Sequence, residues 1–204
     1  MISAHALHLR YAYWRHCWRG SPVPPPHEVK LYWLARLASR QRVTTFIETG
    51  TYNARTVQAL RDHFQQVYTI ELDPLWAQQA RDLFAGCPRV HVCQGDSGRL
   101  LPTILAKVTE RCLFWLDAHY SGPGTAQGEI DSPIVHELAA IRGHGRNDHI
   151  IVIDDARLFN GTNGYPTLRQ VETLVKQISP AYIIRIADDM IQACLPDADE
   201  KTCS

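Results

Sequence analysis

The chain has 204 residues, a length that fits one domain of ordinary size and excludes a miniprotein held together by disulfides or metal. Hydrophobic residues make up 45% and charged residues 21%, which excludes general disorder. The 21 Lys plus Arg balance 21 Asp plus Glu, so there is no excess of positive charge to grip nucleic acid through its phosphates.

The balance hides an asymmetry. Residues 1–42 carry Arg10, Arg15, Arg19, Lys30, Arg36, Arg40 and Arg42 against Glu28 alone, so this basic segment is complementary in charge to the acidic remainder. The six cysteines (Cys17, Cys87, Cys93, Cys112, Cys194, Cys203) form no CxxC pair, and several sit in apolar runs where a free thiol packs as a small hydrophobe. A reducing compartment is expected. The first residues lack the apolar stretch of a secretion signal, and no window approaches the roughly 18 apolar residues of a membrane span. The expectation is a cytoplasmic protein with no membrane or nucleic-acid partner.

In chain order, residues 1–42 read as a basic, aromatic extension interrupted by SPVPPPH, whose prolines cannot sustain a helix or a central strand. Its role is left between a lid over the site and a contact between protomers of a homo-oligomer. In HEVKLYWLARLASR, Val29, Trp33, Leu34 and Leu37 share one side at helical spacing and lead into the core. From residue 43 to 204 a second unit alternates short β-rich runs with helix-period runs, as a parallel sheet covered by helices requires. The strands are VTTFIE, QVYTIEL, RVHVCQ, RCLFWLD and HIIVIDD.

Between them, Val57, Leu60 and Phe64 mark one helix. SPIVHELAAIRG marks another, with Ser132 as cap, Pro133 in the first turn and Gly143 at the end. TLRQVETLVKQISP carries a capping box, Thr167 with Gln170, and is stopped by Pro180. AYIIRIA and MIQACLP are separated only by Asp188 and Asp189, too close for a crossover helix, so they form an antiparallel hairpin.

Ligands of an open parallel sheet collect beyond the carboxyl ends of its strands. Acidic groups recur there: Glu48, Glu71, Asp96, Asp117, and Asp154 with Asp155. Such a rim suits a cationic ligand and disfavours a pyrophosphate. The first loop, FIETGTYNART, has Gly50 at its sharp turn but no GxGxxG. Glu71 at the next strand end suits a ribose, so a nucleoside without phosphates fits best.

FIETGTY, IELD and QGDS, followed by the terminal hairpin, resemble in type and order the motifs of the class I S-adenosylmethionine-dependent methyltransferases over roughly residues 43–195. The resemblance implies an α/β, Rossmann-like, mostly parallel seven-stranded sheet with helices on both faces. It further implies that Glu48, Gly50, Thr51 and Tyr52 line the methionine moiety of S-adenosyl-L-methionine. Glu71 with Leu72 would line the ribose, Asp96 with Ser97 the adenine, and Asp117 would border the same crevice.

WLDAHYSG and VIDDAR resemble the metal-dependent O-methyltransferases of the catechol type and of the macrolide-sugar and aminocoumarin-sugar type. By that likeness Asp117, Asp154 and Asp155 bind Mg²⁺ or a similar divalent cation, oxygen donors suiting a hard ion. His119, with Asp117, is catalytic, standing where the sugar-modifying group carries its base. The implied reaction is methyl transfer to a hydroxyl of a small molecule or sugar. The alternatives are a metal-independent N- or O-methyltransferase and a non-catalytic nucleoside-binding module. Two plainer roles also stand: Asp154 and Asp155 as caps of a helix or turn, and Arg157 in an ordinary salt bridge.

Overall fold

The computed structural model of the chain describes residues 4–118 and 132–196. Two helices come first, α1 (Ala4–Trp18) and α2 (His27–Gln41). Pro26 stands at the N-cap of α2, and Arg42 closes it in the left-handed conformation with its N–H returned to Ala38 and Ser39. Val29, Leu31, Leu34, Leu37 and Ala38 are buried, a stripe at helical spacing that packs on the sheet. Trp33, expected on that face, lies at its border: the indole N–H donates to Asp188 at 2.7 Å.

Strands and helices then alternate: β1 (Thr45–Thr49), α3 (Arg55–Leu60), β2 (Gln66–Glu71), α4 (Pro74–Leu83), β3 (Val90–Gln94), α5 (Ser97–Leu105), β4 (Cys112–Leu116), α6 (Ile134–Gly143), β5 (Ile150–Ile153) and α7 (Leu168–Ile178). The hairpin of β6 (Ile183–Ala187) and β7 (Met190–Cys194) ends the described sheet. Its turn residues Asp188 and Asp189 both have positive φ, 48° and 62°, as a two-residue primed turn requires. The sheet order is β3-β2-β1-β4-β5-β7-β6, parallel from β3 to β5, with β7 antiparallel to both its neighbours.

Side-chain alternation gives the sheet two apolar faces. Ile47, Ile70, Phe114 and Ile151 meet α5, α6 and α7. Phe46, Val67, Leu113 and Val152 meet the helices that precede β3, α2 among them. Burial on both sides is what makes the central strands β1, β4 and β5 near-continuous apolar runs in the sequence.

Helix starts follow local chemistry. Asp73 accepts from the N–H groups of Leu75 and Trp76 at α4, and the expected capping box of Thr167 and Gln170 is present at α7. At α6 Gly143 ends the helix as expected, but the start is corrected: Pro133 occupies the cap position with no side-chain cap. Ser132 lies one residue too early for its hydroxyl to reach the first helical N–H groups. Helix α3 is short, tightening into a 3₁₀ turn at Arg61–His63, but Phe64 still reaches the core and stacks on Phe46.

His144 and His149, adjacent in space, form no metal pair but a fixed chain of hydrogen bonds. The Cys112 N–H donates to His149 Nδ1 at 3.1 Å, so the His149 proton sits on Nε2 and points to His144 Nδ1 at 2.9 Å. His144 Nε2 then donates to the Val108 carbonyl at 2.7 Å.

Candidate active site

Register aligns the strand ends. Thr49 of β1 sits between Ile70 of β2 and Leu116 of β4, and Leu116 pairs with Ile153 of β5. The ladder continues into the loops: Gly50 N–H bonds Ile70, Asp117 N–H bonds Thr49, and Asp154 N–H bonds Leu116, at 2.9, 3.1 and 3.0 Å. Between β1 and β4 the winding direction reverses, the position where an open α/β sheet leaves a crevice.

Gly50 shapes that crevice. It has φ +86°, and a Cβ on it would lie 2.5 Å from the Asp117 carbonyl oxygen. Only glycine lets the first loop approach the end of β4 so closely. The loop is braced from the next strand by Glu71, which accepts from Tyr52 N–H at 2.7 Å through one oxygen and from Asp73 N–H at 2.9 Å through the other. Glu71 therefore points toward the loop that Gly50 opens, not away from it. Tyr52, half exposed, packs on Trp76 of α4 with ring centroids 4.6 Å apart.

Glu48 lies beneath this surface. It accepts from Thr69 Oγ1 at 2.6 Å, and because that proton is committed, Thr51 Oγ1 donates to Thr69 at 2.5 Å. Burial pushes the Glu48 carboxyl up to about 8, against the lowering effect of hydrogen bonds from Thr69 and Thr56. Near neutral pH Glu48 is thus a protonated buried group behind the loop rather than an anion lining it.

At the end of β3, Asp96 accepts from Arg99 N–H at 3.0 Å and caps α5. The buried Ser97 hydroxyl donates to Glu137 of α6 at 2.6 Å. Asp96 and the half-buried Leu72 face the same edge as Glu71, whereas Ser97 joins α5 to α6.

Beyond β4 and β5, Asp117, Asp154 and Asp155 come together, and burial, then Asp154, pushes the Asp117 carboxyl well up. A fourth group stands among them. The Lys30 ammonium, on α2, donates to Asp154 Oδ2 and lies 3.6 Å from Asp155 Oδ1. Burial opposes its charge, but Asp154, Asp117 and Asp155 together raise it. Arg157 Nη1 reaches Asp155 at 2.8 Å and also holds Asp189. Asp154 Oδ1 accepts Asp155 N–H at 2.8 Å, and Asp155, at φ 52°, opens a 3₁₀ turn without capping it by its side chain.

These contacts decide how well a divalent cation fits. Among the described residues no group of three or more His, Cys, Asp or Glu is arranged to hold a metal ion. The expected donors Asp154 and Asp155 are instead engaged by Lys30 and Arg157. The described residues do not fit the ion. His119, the expected base, lies outside the described residues.

Sequence reasoning missed Lys30, Trp76 and Glu137. The charge asymmetry between residues 1–42 and the remainder was the available signal for Lys30, though it named no partner.

Sheet order, the antiparallel β7 and the loops at the carboxyl edge define the class: the α/β fold of the S-adenosylmethionine-dependent methyltransferases. An O-methyltransferase from Bacillus cereus, solved in complex with SAH, matches with a TM-score of 0.60 at 15% identity over 92% of this chain and 90% of that one. The SAH-bound methyltransferase PaMTH1 of Podospora anserina matches at 0.57 and 16%, over 96% and 89%. The N-methyltransferase NodS of Bradyrhizobium japonicum matches at 0.56 and 13%, over 84% and 97%. The likeness at these identities is one of fold. No protein-family model matches the chain, and no curated protein matches it.

Proposed function

We propose that this chain transfers a methyl group from S-adenosylmethionine to a hydroxyl of a small molecule, sugars included. The observation that carries the reading is Glu71. Two backbone N–H groups fix its carboxylate at the mouth of the crevice beside Gly50, and each oxygen keeps a second lone pair for a ribose hydroxyl. Two of the three structures named above contain SAH, the product of that donor.

In this reading Gly50, Thr51 and Tyr52 surround the methionine moiety, Glu71 with Leu72 holds the ribose, and Asp96 borders the adenine. When bound, the donor supplies an electrophilic methyl group on a positively charged sulfur. The protein's part is to place it in line with an acceptor oxygen, the positioning on which such a displacement depends. Asp117 borders both the crevice and the acidic ends of β4 and β5, so the acceptor would lie over Asp117 and Asp154. The metal-independent form of the reaction fits the described residues better than the metal-assisted form, because Lys30 already neutralises Asp154.

Calorimetry tests the reading. SAH should bind and NAD should not, and Glu71→Gln should weaken SAH by about 10–100-fold, the loss of a charged hydrogen bond worth roughly 1.5–3 kcal/mol. Absence of SAH binding, or NAD binding in its place, would overturn it. Binding without turnover on any hydroxyl compound would leave a nucleoside-binding module.

A further inference from the structure

We infer that Lys30 is a built-in cation at the ends of β4 and β5, occupying the place of a divalent ion and excluding one. The site of this charge follows from the packing of α2. Val29 and Leu31, on either side of Lys30, are buried, and Trp33 is tied to Asp188, so the helix cannot rotate Lys30 away without exposing its apolar stripe. The Lys30 side chain is only 15% exposed and that of Asp154 only 2%, so the ammonium is not a surface group that drifts among partners.

Asp154 and Asp155 already carry partners, one of them a cation set where the ion would lie. Asp154 Oδ2 accepts from Lys30 and its Oδ1 accepts from Asp155 N–H, while Asp155 Oδ1 meets both Arg157 and Lys30. A magnesium ion demands near-octahedral oxygen donors at about 2.0–2.1 Å. An ion on Asp154 Oδ2 would therefore displace the ammonium or sit within a few ångströms of it, where like charges repel strongly in a poorly solvated site.

Residues 1–42 then contribute more than a cover. Through α2 they deliver the positive charge that faces the acceptor side of the crevice. That placement beside the acceptor rests on the methyl-transfer reading above; the occupancy of the cation position does not.

Titration with Mn²⁺, followed by the electron paramagnetic resonance signal of the free ion, tests the occupancy without any turnover. The wild-type protein should bind no stoichiometric Mn²⁺ at the concentrations used for weak protein sites, roughly 0.1–1 mM. Lys30→Ala should gain Mn²⁺ binding by roughly tenfold or more, and adding Asp154→Asn should abolish the gain. Lys30→Met, which keeps the apolar stem, should behave as Lys30→Ala and covers the case in which the shorter side chain unfolds α2. Lys30→Arg should bind none.

Stoichiometric Mn²⁺ binding by the wild type that Asp154→Asn removes would overturn the inference. So would a folded Lys30→Met with no gain. Calorimetry with SAH on the same preparations separates the two ideas: loss of SAH binding with the Mn²⁺ pattern intact sinks the methyl-transfer reading and leaves Lys30 standing.

Discussion

Replacing Gly50 by alanine probes the close approach on which the crevice depends. The new Cβ would lie 2.5 Å from the Asp117 carbonyl oxygen, 2.9 Å from its carbon and 3.2 Å from the Ala118 Cα. All three are backbone atoms, and the segment is held by Asp117 N–H on Thr49 at 3.1 Å, so none can swing aside as the tip of a long side chain can. Two penalties add: about 1–2 kcal/mol for a side chain in the left-handed conformation and about 1–3 kcal/mol for forcing a methyl into filled space. Their sum is roughly 2–5 kcal/mol.

Gly20 separates the two terms, since it has φ +81° with nothing within 4 Å of its Cβ position. At about 3 °C per kcal/mol for a domain of this size, Gly20→Ala should melt about 3–6 °C below the wild type and Gly50→Ala about 6–15 °C below. Scanning calorimetry on both variants reads the difference, and SAH affinity should fall only in Gly50→Ala. Equal drops in melting temperature would refute the close-approach argument.

Three further outcomes are expected. The Glu48 carboxyl is raised from 4.5 to about 8, so the folded protein keeps a proton that the unfolded chain has released. Its contribution to stability is full below pH 4.5 and is lost as pH rises to about 8, at up to about 1.4 kcal/mol per pH unit. Urea titrations should show Glu48→Gln with a flatter fall over that window, and an unchanged slope would contradict the assignment.

His149 runs the other way: burial, then His144, lowers it from 6.5 to about 4, so its contribution is full above pH 6.5 and lost on acidification toward 4. Ring nitrogen shifts measured by NMR should keep His149 neutral at pH 5, and titration near its ordinary value would be the contrary result. Asp188 joins α2 and α1 to the hairpin through Trp33 at 2.7 Å and His16 at 3.0 Å. Asp188→Gly suits the turn but strips both groups of their acceptor, at about 2–4 kcal/mol, whereas Asp188→Asn keeps one acceptor and should lose about half as much. Coincident urea midpoints would argue that neither bond matters.

Much of the architecture was legible before the coordinates. The β-branched runs mark β1, β4 and β5 most plainly because a strand buried on both faces must be apolar along its length. The capping box of Thr167 and Gln170 and the Asp188–Asp189 turn are equally local, each set by a few neighbouring residues. Glu48, Glu71, Asp117 and Asp154 were placed at one rim because strand ends in a parallel sheet share an edge. What that placement could not say is which of them faces a ligand. Glu48 and Glu71 are both acids at strand ends, yet the first is a protonated buried group behind the threonines, and the second is held at the crevice mouth.

The sequence alone thus determined the order of elements, the two apolar faces of the sheet and the acidic character of its carboxyl edge, since these follow from periodicity and from residues close along the chain. Tertiary structure decided the partners. Ser97 meets Glu137 across 40 positions, and Lys30 meets Asp154 across 124, through the docking of helices whose own patterns specify a buried face but not the surface that receives it. Charge asymmetry showed that a basic segment and an acidic body coexist. Only the packing of α2 turned that balance into a single ammonium set between two aspartates, because long-range contacts depend on shape and register that no local spacing encodes.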